Sequence, residues 1–171
     1  DPMNRLYLLL LLLLPATLPA ASPGGGIYFQ IGDFYSIKTR AAEAGKLLFV
    51  HFTASWCMPC QWMERNTFRD EQLGAFVNDH YLAVQVDIDA RQGLRLKEEY
   101  QIVALPSMLI IDPRGVVIAR YEESMDADRL LRLLRRHYYD GQELAPPVAR
   151  LNAPSDGQSA PSLSRPALIP E

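Results

Sequence analysis

The chain has 171 residues, 49% hydrophobic and 22% charged, with a formal net charge of -3, which suits one globular domain of ordinary composition plus terminal additions. A mildly acidic chain offers no basic field for a phosphate backbone, which weighs against nucleic acid as a partner. Two cysteines are too few for the multi-bridge framework of a small secreted scaffold, and they lie three positions apart, at Cys57 and Cys60.

In chain order, Arg5, the apolar run from Leu6 to Leu14 and the small residues around Ala20, Ala21 and Ser22 have the three parts of a secretory signal peptide. The run falls short of the about 20 apolar residues that cross a bilayer, and Pro15 and Pro19 discourage its extension. Residues 1–22 are therefore expected to be a signal peptide removed on export to a periplasmic or secreted location; an uncleaved membrane tether and a plain buried helix are the alternatives. Residues 24–140 form the body. In it, Ile27-Tyr28-Phe29 suggests a short strand, and Asp33 is placed to cap a helix that Gly45 stops. Leu47 to Thr53 is nearly all apolar, as in a central strand covered on both faces.

A helix is predicted from Cys57, interrupted near Asp70 and resuming to Val77, where Leu73, Phe76 and Val77 keep helical spacing. Tyr81 to Val86 reads as a second buried strand, Ala90 to Tyr100 as a helix and Met108 to Ile111 as a third strand. Asp112-Pro113-Arg114-Gly115 is a turn that returns Val116 to Arg120 antiparallel. Ser124 is expected to cap the last helix, with Leu130, Leu131, Leu134 and Tyr138 on its apolar face and Arg129, Arg132, Arg135 and Arg136 on a solvated one. Residues 141–171, with prolines scattered among Ser, Ala, Gly and Gln, cannot bury enough apolar surface to offset ordering entropy and read as a disordered tail, inert or a strip for a partner. Alternating strands and helices make this an α/β chain with a mixed sheet and helices on both faces.

Three readings compete for Ser55-Trp56-Cys57-Met58-Pro59-Cys60. A purely structural bridge closes so small a loop that it stabilises by only about 2 kcal/mol. A zinc half-site needs two further ligands, and beyond carboxylates the chain offers only His51, His80 and His137, with no second paired motif. A redox pair suits the position. A Cys-X-X-Cys that follows a buried strand and opens a helix sets the first sulfur among unpaired amides at the positive end of the helix dipole, which favours a thiolate. Cys57 is then the attacking sulfur and Cys60, almost one turn further in, the resolving one.

With Trp56-Cys57-Met58-Pro59-Cys60 and the later Leu105-Pro106 ahead of a strand, the chain resembles the thioredoxin superfamily. More narrowly, Phe52-Thr53-Ala54-Ser55-Trp56-Cys57 and Glu64-Arg65-Asn66-Thr67-Phe68 resemble the periplasmic thioredoxin-like domain of DsbD-type thiol:disulfide interchange proteins. The likeness runs from about Ile27 to Tyr138. It implies a thioredoxin-like fold, with Pro106 a cis-proline facing the disulfide, the backbone of Leu105 pairing with a substrate strand and Trp56 packing over the rim of the site. From the residues alone, Pro106 also fits a proline that simply begins a strand.

Six residues before Cys57, where the family commonly carries a buried acidic proton acceptor, this chain has His51. An imidazole with an ordinary pKa of about 6.5 takes up a proton near neutrality, making His51 a candidate base for Cys60; a satisfied core histidine is the alternative. Glu64 lies four positions after Cys60 on the same helical stripe. By resemblance it sits near the site and influences the cysteine pKa, and otherwise it is a solvated helix residue.

The expected function is that of an exported thiol:disulfide oxidoreductase acting on protein thiols and disulfides through a Cys57/Cys60 pair, a monomer with no cofactor and no bound metal. Met58-Pro59 keeps the proline of reducing thioredoxins and lacks the histidine of the strong oxidant DsbA, which favours a reductase supplied by a transmembrane thiol electron donor. The rival reading is a periplasmic copper(I) metallochaperone using the same two thiolates, with Met58 or Met63 nearby.

Overall fold

The computed structural model describes residues 25–143; the expected signal peptide and nearly all of the expected tail lie outside them. Five strands form one sheet in the order β1-β3-β2-β4-β5: β1 (Phe29–Gln30), β2 (Leu47–Thr53), β3 (Tyr81–Asp87), β4 (Ser107–Ile111) and β5 (Val117–Tyr121). The first three run parallel, and β4 and β5 are antiparallel to their neighbours. Five helices accompany them: α1 (Phe34–Glu43), α2 (Met58–Arg65), α3 (Glu71–His80), α4 (Arg91–Glu99) and α5 (Ala127–Glu143).

All seven residues of β2 are buried, because this strand lies in mid-sheet between β3 and β4 with helices over both faces. Its side chains alternate between two cores. Leu48, Val50 and Phe52 join Phe34 and Ile37 of α1 and Leu96 of α4. Leu47 and Phe49 face the other way, onto Met63 of α2, Leu73 and Val77 of α3 and Leu130 and Leu134 of α5.

Local chemistry sets most of the boundaries. The Asp33 carboxylate accepts the Ser36 amide at 2.9 Å, and Gly45 follows α1 at φ 63°, where only glycine is free of strain. Gln92 ties α1 to α4, donating to Asp33 Oδ1 at 2.5 Å and accepting the Phe34 amide at 3.1 Å. α4 lies so close to the end of β3 that a Cβ on Gly93 would stand 1.8 Å from the Asp87 carbonyl oxygen.

Three expectations change. The first strand is Phe29–Gln30 rather than residues 27–29; the Ile27 amide instead bonds the Phe68 carbonyl at 2.8 Å. Ser124 does not cap the last helix: Asp126 does, its carboxylate accepting the Arg129 amide at 2.8 Å, while the preceding Met125 is drawn into the core. That helix also runs on through Gly141 to Glu143, past the expected end of the body at 140.

Candidate active site

The carboxyl ends of β1, β2 and β3 and the start of β4 converge at one end of the sheet, the position at which open α/β sheets bind ligands. The chain leaves β2 at Thr53 and turns so that the Cys57 amide bonds the Ala54 carbonyl at 3.0 Å. Cys57 then caps α2. Its Sγ accepts the amide of Cys60 at 3.3 Å, its backbone is extended (φ -79°, ψ 95°), and proline occupies the first turn of the helix, where its missing N–H costs nothing. Cys57 and Cys60 are joined as a disulfide with Cα atoms 5.3 Å apart. On reduction, the amide that faces Cys57 Sγ and the dipole behind it both favour the thiolate at this position.

Both cysteines are buried, Cys57 3% and Cys60 0% exposed, and they differ in their surroundings. Cys57 lines an open cleft of about 440 Å³ together with Trp56, Pro59, Ile102, Val103 and Leu105, whereas Cys60 is fully buried against the α1/α4 core. Trp56, 63% exposed, stands on the rim, held there by a 2.8 Å hydrogen bond from its indole N–H to Asp89 Oδ2. The Leu105–Pro106 peptide is cis; Leu105 reaches the cleft and Pro106 is buried behind it. Trp56, Cys57 and Leu105 thus line one cleft, and Pro106 follows Leu105 through the cis bond.

Glu64 and His51 are placed differently. Glu64 is half-buried and is not a solvated helix residue: Oε1 accepts the Thr53 hydroxyl at 3.1 Å and the Gln85 amide at 2.6 Å. It lines a second cleft, of about 330 Å³, with Tyr28, Phe29, Phe68 and Arg69. The helical stripe shared by Cys57, Cys60 and Glu64 thus opens into two separate clefts.

His51 is wholly buried, with its ring edge-on to Phe68 (centroids 4.8 Å apart) and tilted against Phe29. Neither ring nitrogen has a hydrogen-bond partner. Burial lowers its pKa to about 3. The expectation of a base with an ordinary imidazole pKa is corrected accordingly: charging the ring would strip an ion of water among phenylalanines with no counter-charge beside it, and no hydrogen bond links it to Cys60. Nor is it a satisfied core histidine; it is a neutral core side chain with unmet hydrogen-bonding capacity.

Gln85 and Ile88 line the two clefts, and Thr53 and Asp89 bond residues that do; none of the four was assigned a role from sequence. Asp89 is 33 residues from Trp56 and Gln85 is 21 from Glu64, so no local pattern signals either contact. Among the described residues no group of three His, Cys, Asp or Glu side chains is arranged to hold a metal ion, and no helix is long and apolar enough to cross a membrane.

A disulfide-forming Cys-X-X-Cys at a helix start, beside a cis-proline loop on a five-stranded mixed sheet, is a thioredoxin-type arrangement. Residues 32–113 match the family described as thioredoxin-like. A thiol:disulfide interchange protein DsbD from Yersinia enterocolitica is 31% identical over 111 residues, which is 62% of this chain and 19% of that protein; the chain thus spans about a fifth of that relative. A candidate disulphide-isomerase from Bacteroides thetaiotaomicron superposes with a TM-score of 0.60 at 28% identity, covering 70% of this chain and 98% of that one. The oxidised C-terminal domain of Neisseria meningitidis DsbD, at 18% identity and TM-score 0.52, covers 60% and 90% and shares the fold. The chain is thus similar to thioredoxin-like proteins over residues 32–113 and shares their fold.

Proposed function

We propose that this chain is an exported reductase that passes electrons to disulfides in proteins. In its reduced form, Cys57 thiolate attacks one sulfur of a substrate disulfide; a Cys57–substrate bond forms, the substrate bond breaks, and the departing sulfur takes up a proton. Cys60 then gives up its proton and attacks Cys57, closing the disulfide and releasing the second substrate thiol. Two electrons move from the pair to the substrate. A dithiol donor restores the pair by the reverse steps, and in an oxidising compartment a transmembrane thiol carrier fits that part.

The observation that carries this reading is the placement of the pair: Cys57, 3% exposed, borders an open cleft and caps a helix, and Cys60, 0% exposed, does not line the cleft. Met58-Pro59 supports the reducing direction. The likeness to DsbD supports a periplasmic setting and protein substrates, as does the reading of residues 1–22 as a signal peptide; the domain is read from residue 24 to the end of α5 and the remainder as a tail. Glu64 is assigned an electrostatic influence on the pair, and Trp56, Leu105 and Pro106 the seating of substrate.

The test is reduction of insulin by the reduced protein, combined with metal analysis and equilibration against glutathione. Insulin reduction lost in Cys57→Ser, a mixed disulfide accumulating in Cys60→Ser, and a potential near the about -270 mV of thioredoxin are expected. A potential near the about -120 mV of DsbA overturns the direction. Stoichiometric copper(I) without thiol exchange overturns the enzyme reading in favour of a metallochaperone.

A further inference from the structure

The cleft beside Cys57 is apolar along its walls, with Trp56, Ile88, Ile102, Val103 and Leu105, and one charged side chain lines it, Lys97. The chain has three lysines, and two are engaged. Lys38 donates to the Tyr100 hydroxyl at 3.1 Å and lies over its ring; Lys46 donates to the Asn78 carbonyl at 3.3 Å. Lys97 is exposed and makes no hydrogen bond or ion pair among the described residues. Its position is fixed from the backbone: it lies in the last turn of α4, and its carbonyl accepts the Ile102 amide at 2.9 Å. The lysine is thereby anchored at the foot of the segment 102–105 that forms one wall.

Asp89 accepts the Trp56 indole N–H and does not line the cleft. Among the described residues, the cleft therefore presents an apolar trough whose one charged lining side chain is the Lys97 ammonium. Val103, 84% exposed, adds apolar surface beside it.

Resting on the exchange reading above, we infer that Lys97 selects substrates: the favoured protein segment lies extended along the cleft, with an apolar side chain next to the attacked cysteine and a carboxylate within a few residues, on the Lys97 side. Charge placed at the edge of an interface chiefly steers encounter and discriminates between partners, and the ammonium is exposed enough for salt to screen it. A basic residue at the same place in the substrate meets like charge and is disfavoured.

The test compares kcat/KM of the full chain on three cyclic disulfide peptides that differ only in carrying Glu, Gln or Lys two residues from the attacked cysteine, at low and high salt. The unaltered protein should prefer the Glu peptide to the Lys peptide by about fivefold at low salt, consistent with one exposed charge pair, and the preference should shrink at high salt. Lys97→Met should bring the ratio near one, and Lys97→Glu should invert it. Lys46→Glu, which makes the same charge change at the opposite end of β2, is the control and should leave the ratio as it was. An equal ratio in the unaltered protein and both Lys97 variants overturns the inference, and so does an inversion by Lys46→Glu, since net charge would then suffice. If no peptide is exchanged at all, the exchange reading itself fails; if the Gln peptide is exchanged and the ratio does not respond to Lys97, only the inference about Lys97 fails.

Discussion

The His51 ring meets Phe68 edge-on, with centroids 4.8 Å apart, and neither of its nitrogens finds a partner. An imidazole placed this way is held neutral by its surroundings. Its folded pKa, about 3, lies below the about 6.5 of an unfolded histidine, so between those values the unfolded chain binds the extra proton. The contribution to stability is complete above about pH 6.5 and is lost as pH falls toward 3, at up to about 1.4 kcal/mol per pH unit. His51→Leu should therefore match or exceed the parent in urea unfolding at pH 7 and gain on it steadily as the pH is lowered. Parallel stability curves for the two proteins would refute this. Resolution of the mixed disulfide should keep its rate and pH profile in the variant; a large slowing would restore His51 to the mechanism.

Glu64 is the acceptor for a nearly buried hydroxyl, that of Thr53, and for the Gln85 amide. Removing it in Glu64→Ala leaves Thr53 without that bond, and hydrogen bonds to a charged group are worth about 1.5–3 kcal/mol. A loss of about 1–2 kcal/mol in chemical denaturation is expected, with Glu64→Gln losing less because it keeps an acceptor. If the carboxylate also acts on the sulfurs, neutralising it in Glu64→Gln should favour the Cys57 thiolate and lower its titration midpoint, read from thiolate ultraviolet absorbance. An unmoved midpoint would confine Glu64 to a structural role.

Gly93 allows α4 to rest on the end of β3. A methyl group there would stand 1.8 Å from the Asp87 carbonyl oxygen, which is backbone and cannot swing aside. Gly93→Ala should destabilise by about 1–3 kcal/mol or more, as overpacking does, despite alanine's better helix propensity. A thermal midpoint equal to or above the parent's would contradict the packing described.

At the start of α5, Asp126 and Ser124 make opposite predictions. Asp126→Ala removes the acceptor of the Arg129 amide and should cost about 1 kcal/mol. Ser124 is exposed and does not cap the helix, so Ser124→Ala should be close to neutral. Equal losses in the two variants would move the helix start back to the position expected from sequence.

How much was readable in advance follows from the range of the interactions involved. The buried run from Leu47 to Thr53, the Asp33 cap, the Gly45 stop and a Cys-X-X-Cys opening a helix are decided by residues within a few positions of one another, through hydrophobic patterning, backbone preference and capping. Those local rules led to a mixed sheet covered on both faces and to Cys57 as the sulfur at the helix start. The last helix shows where they stop: Ser124 and Asp126 are both good caps by residue type, and the choice between them depends on Met125 being drawn into the core.

The sites divide in the same way. The sequence alone pointed to Cys57 and Cys60, because their motif is short and its chemistry is set by spacing; Trp56, Leu105 and Pro106 were named through the resemblance to the thioredoxin superfamily. Only the folded chain decided that Asp89 fastens Trp56, that Glu64 serves Thr53 and Gln85 in a cleft of its own, that His51 sits neutral among phenylalanines, and that Lys97 lines the cleft beside Cys57. Each of these depends on which distant side chains the β1-β3-β2-β4-β5 order brings together, and burial and charge environment are properties of that assembly rather than of any local stretch of chain.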